Sequence, residues 1–191
     1  MEPIFSLPYS EFVVAQQLAR FLPSSKGYSI YAPISRQQPG VDLLLARKRG
    51  RRVRVARIQV KSSRTYSSRT TTARTKRPFR YRTWSNNFDC PRDADFFCLV
   101  ALYPAVEAAQ KRELGTWWAP QVLVFSQAEM RRFLRNVRTV SGGKDRMFGF
   151  GFDHPNEAFQ TRGDAKRRFL DYSQHLLSKQ LSVLRNFVST K

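Results

Sequence analysis

The order of apolar and polar residues divides the chain into short helix-like and strand-like stretches. Val14, Leu18, Phe21 and Leu22 recur at helical spacing behind Ser10, which predicts a first helix with Ser10 as N-cap and Pro23, Ser24, Ser25 and Gly27 as its end. Residues 28–34 read as a short strand, followed by a turn through Pro39 and Gly40. Residues 41–46 are apolar apart from Asp42, and 53–60 are rich in β-branched side chains. A basic turn, Arg47-Lys48-Arg49-Gly50-Arg51-Arg52, separates the two, so they predict a β-hairpin that reverses near Gly50.

From residue 62 the pattern breaks. Serine and threonine alternate with arginine, with no apolar periodicity before Phe79, and 62–78 read as an exposed, mobile loop. Residues 96–103 and 121–125 read as buried strands, and 148–152 as a short one. Ser126 and Glu129 form a capping-box pattern ahead of Met130, Phe133, Leu134 and Val137, which predicts a helix. Residues 164–188 predict a long C-terminal helix with Phe169, Tyr172, Leu176, Leu184 and Phe187 facing inward, so 160–191 form a helical extension of a single domain spanning 1–191. The order helix, strand, hairpin, loop, strand, strand, helix, helix predicts an α/β protein with a mixed central sheet flanked by helices.

Composition adds a partner to this picture. Hydrophobic residues make up 41% and aromatic residues 13%, enough for a packed core. Lysine and arginine number 34 against 14 acidic residues, a net charge of +20. Such self-repulsion opposes compaction and suits a polyanionic partner, nucleic acid first. No apolar run approaches membrane-spanning length and no signal-peptide pattern opens the chain, so a cytoplasmic, nucleoid-associated protein with no membrane role is expected. Cys90, Cys98, His154 and His175 lack the close pairing of a zinc site, and the cysteines read as ordinary thiols.

The charge is concentrated. No Asp or Glu occurs from residue 47 to 82, where Arg47, Lys48, Arg49, Arg51, Arg52, Arg64, Arg69, Arg74, Lys76, Arg77, Arg80 and Arg82 are the candidate nucleic-acid-binding residues. Tyr66, Phe79, Tyr81 and Trp84 interleave with them and offer faces for base stacking. Two further clusters, Arg131-Arg132-Arg135-Arg138 and Lys166-Arg167-Arg168, read as solvated helix faces able to extend a phosphate track.

Candidate chemistry lies at the open end of the hairpin. With the reversal near Gly50, Asp42 lies across from Ile58 or Gln59. Gln59 and Lys61, two apart, share one face, while Ile58 and Val60 point to the other. A carboxylate, an amide carbonyl and an ammonium together can hold a divalent cation and act on a phosphate. Glu11 lies on or beside the apolar face of the first helix, either as a further ligand or as an acidic residue favoured by the helix N-terminus.

Glu11, Asp42, Gln59 and Lys61 in this order resemble the pattern of the PD-(D/E)xK nuclease superfamily, the restriction-endonuclease-like fold, and within it the small nucleases similar to Holliday-junction resolvases. The motif resemblance covers residues 9–61, with Val41 before the aspartate and Gln59 in place of the usual acid. It implies an α/β/α core and Mg2+- or Mn2+-dependent hydrolysis of DNA. In those terms Glu11, Asp42, Gln59 and Lys61 are the catalytic set, and Asp42, Gln59 and the Val60 carbonyl the metal ligands. Two functions stand open: a metal-dependent endodeoxyribonuclease, for which a homodimer suits double-strand cutting, and a catalytically inactive nuclease-like module that binds DNA or RNA.

Overall fold

A computed structural model of the chain describes residues 9–33, 40–67, 79–105, 117–166 and 168–189. Helix α1 spans Tyr9–Phe21 and ends in a short 3-10 turn, Ser24–Lys26. Gly27 then adopts φ 79° and leads into β1, Tyr28–Tyr31. A side chain at Gly27 would meet the Lys48 carbonyl at 2.8 Å, so only glycine allows this approach to the neighbouring strand.

β2 (Leu43–Arg49) and β3 (Arg52–Ser63) form the expected hairpin, with Arg49 opposite Arg52. Gly50 at φ 59° takes the first central position of the two-residue turn, where the tight hairpin turns demand a positive φ. β4 (Thr65–Ser67) and β5 (Tyr81–Asn86) follow, then β6 (Phe96–Pro104) and β7 (Trp118–Ser126). Helix α2, Gln127–Asn136, carries the predicted capping box. β8 (Met147–Phe152), β9 (Phe159–Arg162) and helix α3 (Leu177–Phe187) complete the described elements.

The central sheet has the order β1-β2-β3-β6-β7. It is mixed: β3 and β6 run parallel and the other neighbours antiparallel. A second, antiparallel sheet has the order β4-β5-β8-β9. The fold is therefore α/β, with a mixed central sheet flanked by helices and a C-terminal helix. Alternation along β3 sorts the packing. Ile58 and Val60 join Val14 and Leu18 of α1 and Leu177 and Leu184 of α3 on one face. On the other, Phe97, Leu99, Leu123 and Phe125 pack against Met130 and Phe133 of α2 and Phe148 and Phe150 of β8. The second covering layer is thus mostly a sheet, where the resemblance implied helices.

Three expectations are corrected. Residues 62–67 are not loop: β3 runs on to Ser63 and Thr65–Ser67 pair with β5, while the rest of the expected loop, 68–78, lies outside the described residues. The C-terminal helix starts at Leu177, not near 164. Ahead of it Asp164 accepts from the backbone N–H groups of Lys166 and Arg168, Phe169 takes φ 52°, and Asp171 accepts from the Ser173 N–H. These local side-chain bonds satisfy the backbone in place of a helix. Residues 160–162, at the start of the expected helical extension, lie in strand β9, and His175 ahead of α3 is buried and stacks on Phe125 at 4.2 Å.

Candidate functional site

β2 gives out at Leu43, whereas β3, the strand it pairs with, runs on past Ile58 to Ser63. Leu43 opposite Ile58 is the first ladder pair, and the Asp42 N–H donates to the Ile58 carbonyl just beyond it at 2.9 Å. Past that point β3 continues without β2 beside it. The Val60 N–H faces the gap and donates to Oδ2 of Asp42 at 2.6 Å, so a carboxylate takes the place of the missing strand. In an extended chain a residue's carbonyl points the same way as its N–H, which directs the Val60 carbonyl toward the same gap.

Gln59 is only 5% exposed and its Oε1 has no hydrogen-bond partner. Its amide lies beside Gly40, where a Cβ would stand 3.9 Å from Nε2. Gln59 pairs with Phe97 and Lys61 with Leu99, which puts both on the sheet face turned away from α1. Lys61 is exposed and lines a small cleft with Ser63, Thr83 and Ser85. Asp42, Gln59, the Val60 carbonyl and Lys61 thus share the open end of the hairpin.

Glu11 is buried in the first turn of α1, a helix whose Val14 and Leu18 pack on the opposite face of the sheet. Among the described residues no three His, Cys, Asp or Glu side chains gather as a metal cage. The pKa of the Cys98 thiol, on the α1 face, is pushed up to about 12, first by burial and then by the negative charge of Asp42. Cys90 and Cys98 are free thiols.

The basic tract divides by environment. Lys48, Arg49, Arg51 and Arg52 are exposed at the hairpin tip, and Arg64 is exposed just past β3. Arg47 instead donates to the Ser189 hydroxyl and stacks over Tyr28 at 4.9 Å, which ties it to packing. Arg80 is exposed, with its guanidinium 5.2 Å from the Tyr81 ring centre, and Arg82 lines a pocket on the second sheet. Arg69, Arg74, Lys76 and Arg77 lie outside the described residues.

Sequence reasoning missed two features. Arg57 grips Asp95 through both carboxylate oxygens, at 2.9 and 3.1 Å, and so pins the start of the parallel β3–β6 pair. It also missed a pocket on the second sheet, lined by Arg82 and Trp84 of β5 and by Thr161 and Arg162 of β9. No helix among the described residues is long and apolar enough to cross a membrane. No protein-family model matches this chain, and no curated protein or solved structure matches it.

Proposed function

We propose that the chain is a metal-dependent endonuclease of the PD-(D/E)xK kind, acting on DNA phosphodiester bonds as a cytoplasmic, nucleoid-associated protein. The observation that carries this reading is the Asp42 carboxylate held on the Val60 N–H where β2 gives out, with the buried Gln59 and the exposed Lys61 on either side of Val60 along β3. The donor set fits Mg2+ or Mn2+: one carboxylate and neutral oxygens, with the orphaned Oε1 of Gln59 among them. Such an ion, when bound, supplies Lewis acidity toward a phosphoryl oxygen and lowers the pKa of its water. Asp42 orients the site through its bond to Val60. Lys61, on the open side, offsets charge developing on the phosphate. The exposed cations of the hairpin tip hold the flanking backbone.

One observation favours a second reading, a nuclease-like binding module without cleavage. Asp42 is engaged as a backbone cap, and Gln59 brings no charge to draw a cation. Incubation with plasmid and single-stranded DNA, in Mg2+, Mn2+ or chelator, separates the two. The enzyme reading expects metal-dependent cleavage that drops about 10²-fold or more in Lys61→Ala, an exposed position that leaves the fold intact. Salt-sensitive binding without cleavage in either metal would overturn it.

A further inference from the structure

β8 reads Met147-Phe148-Gly149-Phe150-Gly151-Phe152, and the alternation has a structural result. The phenylalanines point inward and are buried, while Gly149 and Gly151 face out, opposite Trp84 and Arg82 of β5. Both glycines are buried, because the side chains of Phe79, Trp84 and Thr161 pack directly onto the sheet there. A side chain could not be added there. A Cβ on Gly151 would stand 2.7 Å from the Phe79 ring, and one on Gly149 3.0 Å from the Trp84 indole.

Trp84 and Phe169, with Arg82 and Arg162, wall a cavity of about 420 Å³, at whose edge the ring of Phe79 is buried. Tyr66 extends the aromatic wall, 5.5 Å from Trp84, and both rings are about half exposed. The acidic side chains at the cavity are engaged: Asp145 with Arg162 at 3.3 Å, and Asp164 with Arg168 at 3.3 Å. Arg82 has no partner for its Nε and Thr161 none for its hydroxyl, so neither group is committed to an internal bond.

Arg138 and Asp145 belong to this cavity and also to a neighbouring groove along α2. That groove carries Arg92, Arg131, Arg135, Arg138, Lys144 and Arg146 against two carboxylates, Asp89 and Asp145. A concave aromatic pocket of ligand size thus opens from a track of cations. Bases stacked inside a duplex present edges to a protein, whereas an unpaired base offers a face to aromatic walls.

We infer that this pocket and groove form a binding site for single-stranded nucleic acid, with one unpaired base held against Trp84 and Phe169 and its phosphate backbone laid along the α2 arginines. The inference rests on the nucleic-acid part of the proposed function and not on its cleavage chemistry. It assigns the recognition of an unpaired base to the second sheet, away from the basic hairpin tip.

The test is fluorescence anisotropy in chelator, with a labelled thymidine oligonucleotide, its ribonucleotide counterpart and a duplex of equal length. The single strand is expected to bind more tightly than the duplex. Trp84→Ala is expected to weaken single-strand binding about tenfold or more, with little change on the duplex, and Trp84→Phe to restore most of it. Arg82→Ala provides a second variant should Trp84→Ala misfold, and is expected to weaken single-strand binding selectively. Arg135→Ala with Arg146→Ala is expected to weaken all three ligands and to lower the salt slope by about 1.4 on the single strands and about 1.8 on the duplex. The tighter of the two single strands identifies the natural polymer. Wild-type affinity in Trp84→Ala and Arg82→Ala, or equal losses on single strand and duplex, would overturn the inference. Absence of cleavage with these binding effects intact overturns only the nuclease reading.

Discussion

The two faces of the central sheet are built to different rules. The face under α1 and α3 is closed by aliphatic side chains, Leu43, Leu45, Ile58, Val60, Leu177 and Leu184 among them. The opposite face is richer in aromatic rings, with Phe97 and Phe125 beside Leu99 and Leu123, and it admits Gln59, Lys61 and Gln121. Gln121 is satisfied, donating to the Glu157 carbonyl at 2.7 Å, whereas the Oε1 of Gln59 is not. One face supplies cohesion and the other, at some cost in burial, carries the polar side chains on which the proposed chemistry rests. Within a single strand, β3, the difference falls between adjacent residues.

The largest effect that tests this contrast compares neighbours. Ile58→Ala on the aliphatic face is expected to lose about 2–5 kcal/mol of stability through transfer and cavity terms. Gln59→Leu, one residue on, removes a buried polar group without a bond and is expected to change stability by less than about 1 kcal/mol, or to raise it. Urea denaturation midpoints measure both. Equal losses would mean that both faces are simply core. Metal-dependent cleavage, by contrast, is expected to survive Ile58→Ala at temperatures where it stays folded, and to fall in Gln59→Leu.

Next comes the boundary between the faces. Asp42→Ala leaves the Val60 N–H without its acceptor and is expected to cost about 1–3 kcal/mol. Asp42→Asn keeps an acceptor and is expected to cost less, while removing the charge that a cation needs. If both variants lose cleavage but only alanine loses stability, the two roles of this carboxylate separate. Ser126→Ala, remote from the site, is expected to cost about 1 kcal/mol by removing half of the capping box on α2, and to leave DNA cleavage unchanged.

What the sequence made legible follows from how local the determinants are. The β2–β3 hairpin, the strands β6 and β7, and the α2 cap are each set by patterns within a few residues, and all formed as expected. β4, β5 and β9 were missed because their partners are remote. Arg82 and Trp84 lie in a strand only because β8 lies beside them, and polar, arginine-rich stretches carry little strand signal alone. The C-terminal helix was drawn too long because Phe169, Tyr172 and Leu176 mimic helical spacing, while the decisive bonds come from Asp164 and Asp171. At the candidate site, hairpin register placed Asp42 near Gln59. It could not reveal that Asp42 caps Val60, nor that Glu11 is buried in the first turn of α1.

The smallest expected effect concerns a polar group buried on the aromatic face. His175 stacks between Phe125 and Tyr172, and its Nδ1 lies 3.1 Å from the Val124 carbonyl. Burial holds its pKa below the usual histidine range, against smaller opposing effects of that carbonyl and of Glu129. The folded state therefore resists a proton that the unfolded chain accepts, and stability is full above about pH 6.5 and falls as the pH drops below it. His175→Gln retains a hydrogen-bonding side chain but does not titrate. Its melting temperature is expected to fall less than that of the wild type between about pH 7.5 and about pH 5.5. Both proteins share every other charge, so the difference isolates the ring. Parallel curves would show that the aromatic face accommodates a charged His175 as readily as water does, and would remove the distinction between this buried polar group and the hydrated ones at the sheet's open end.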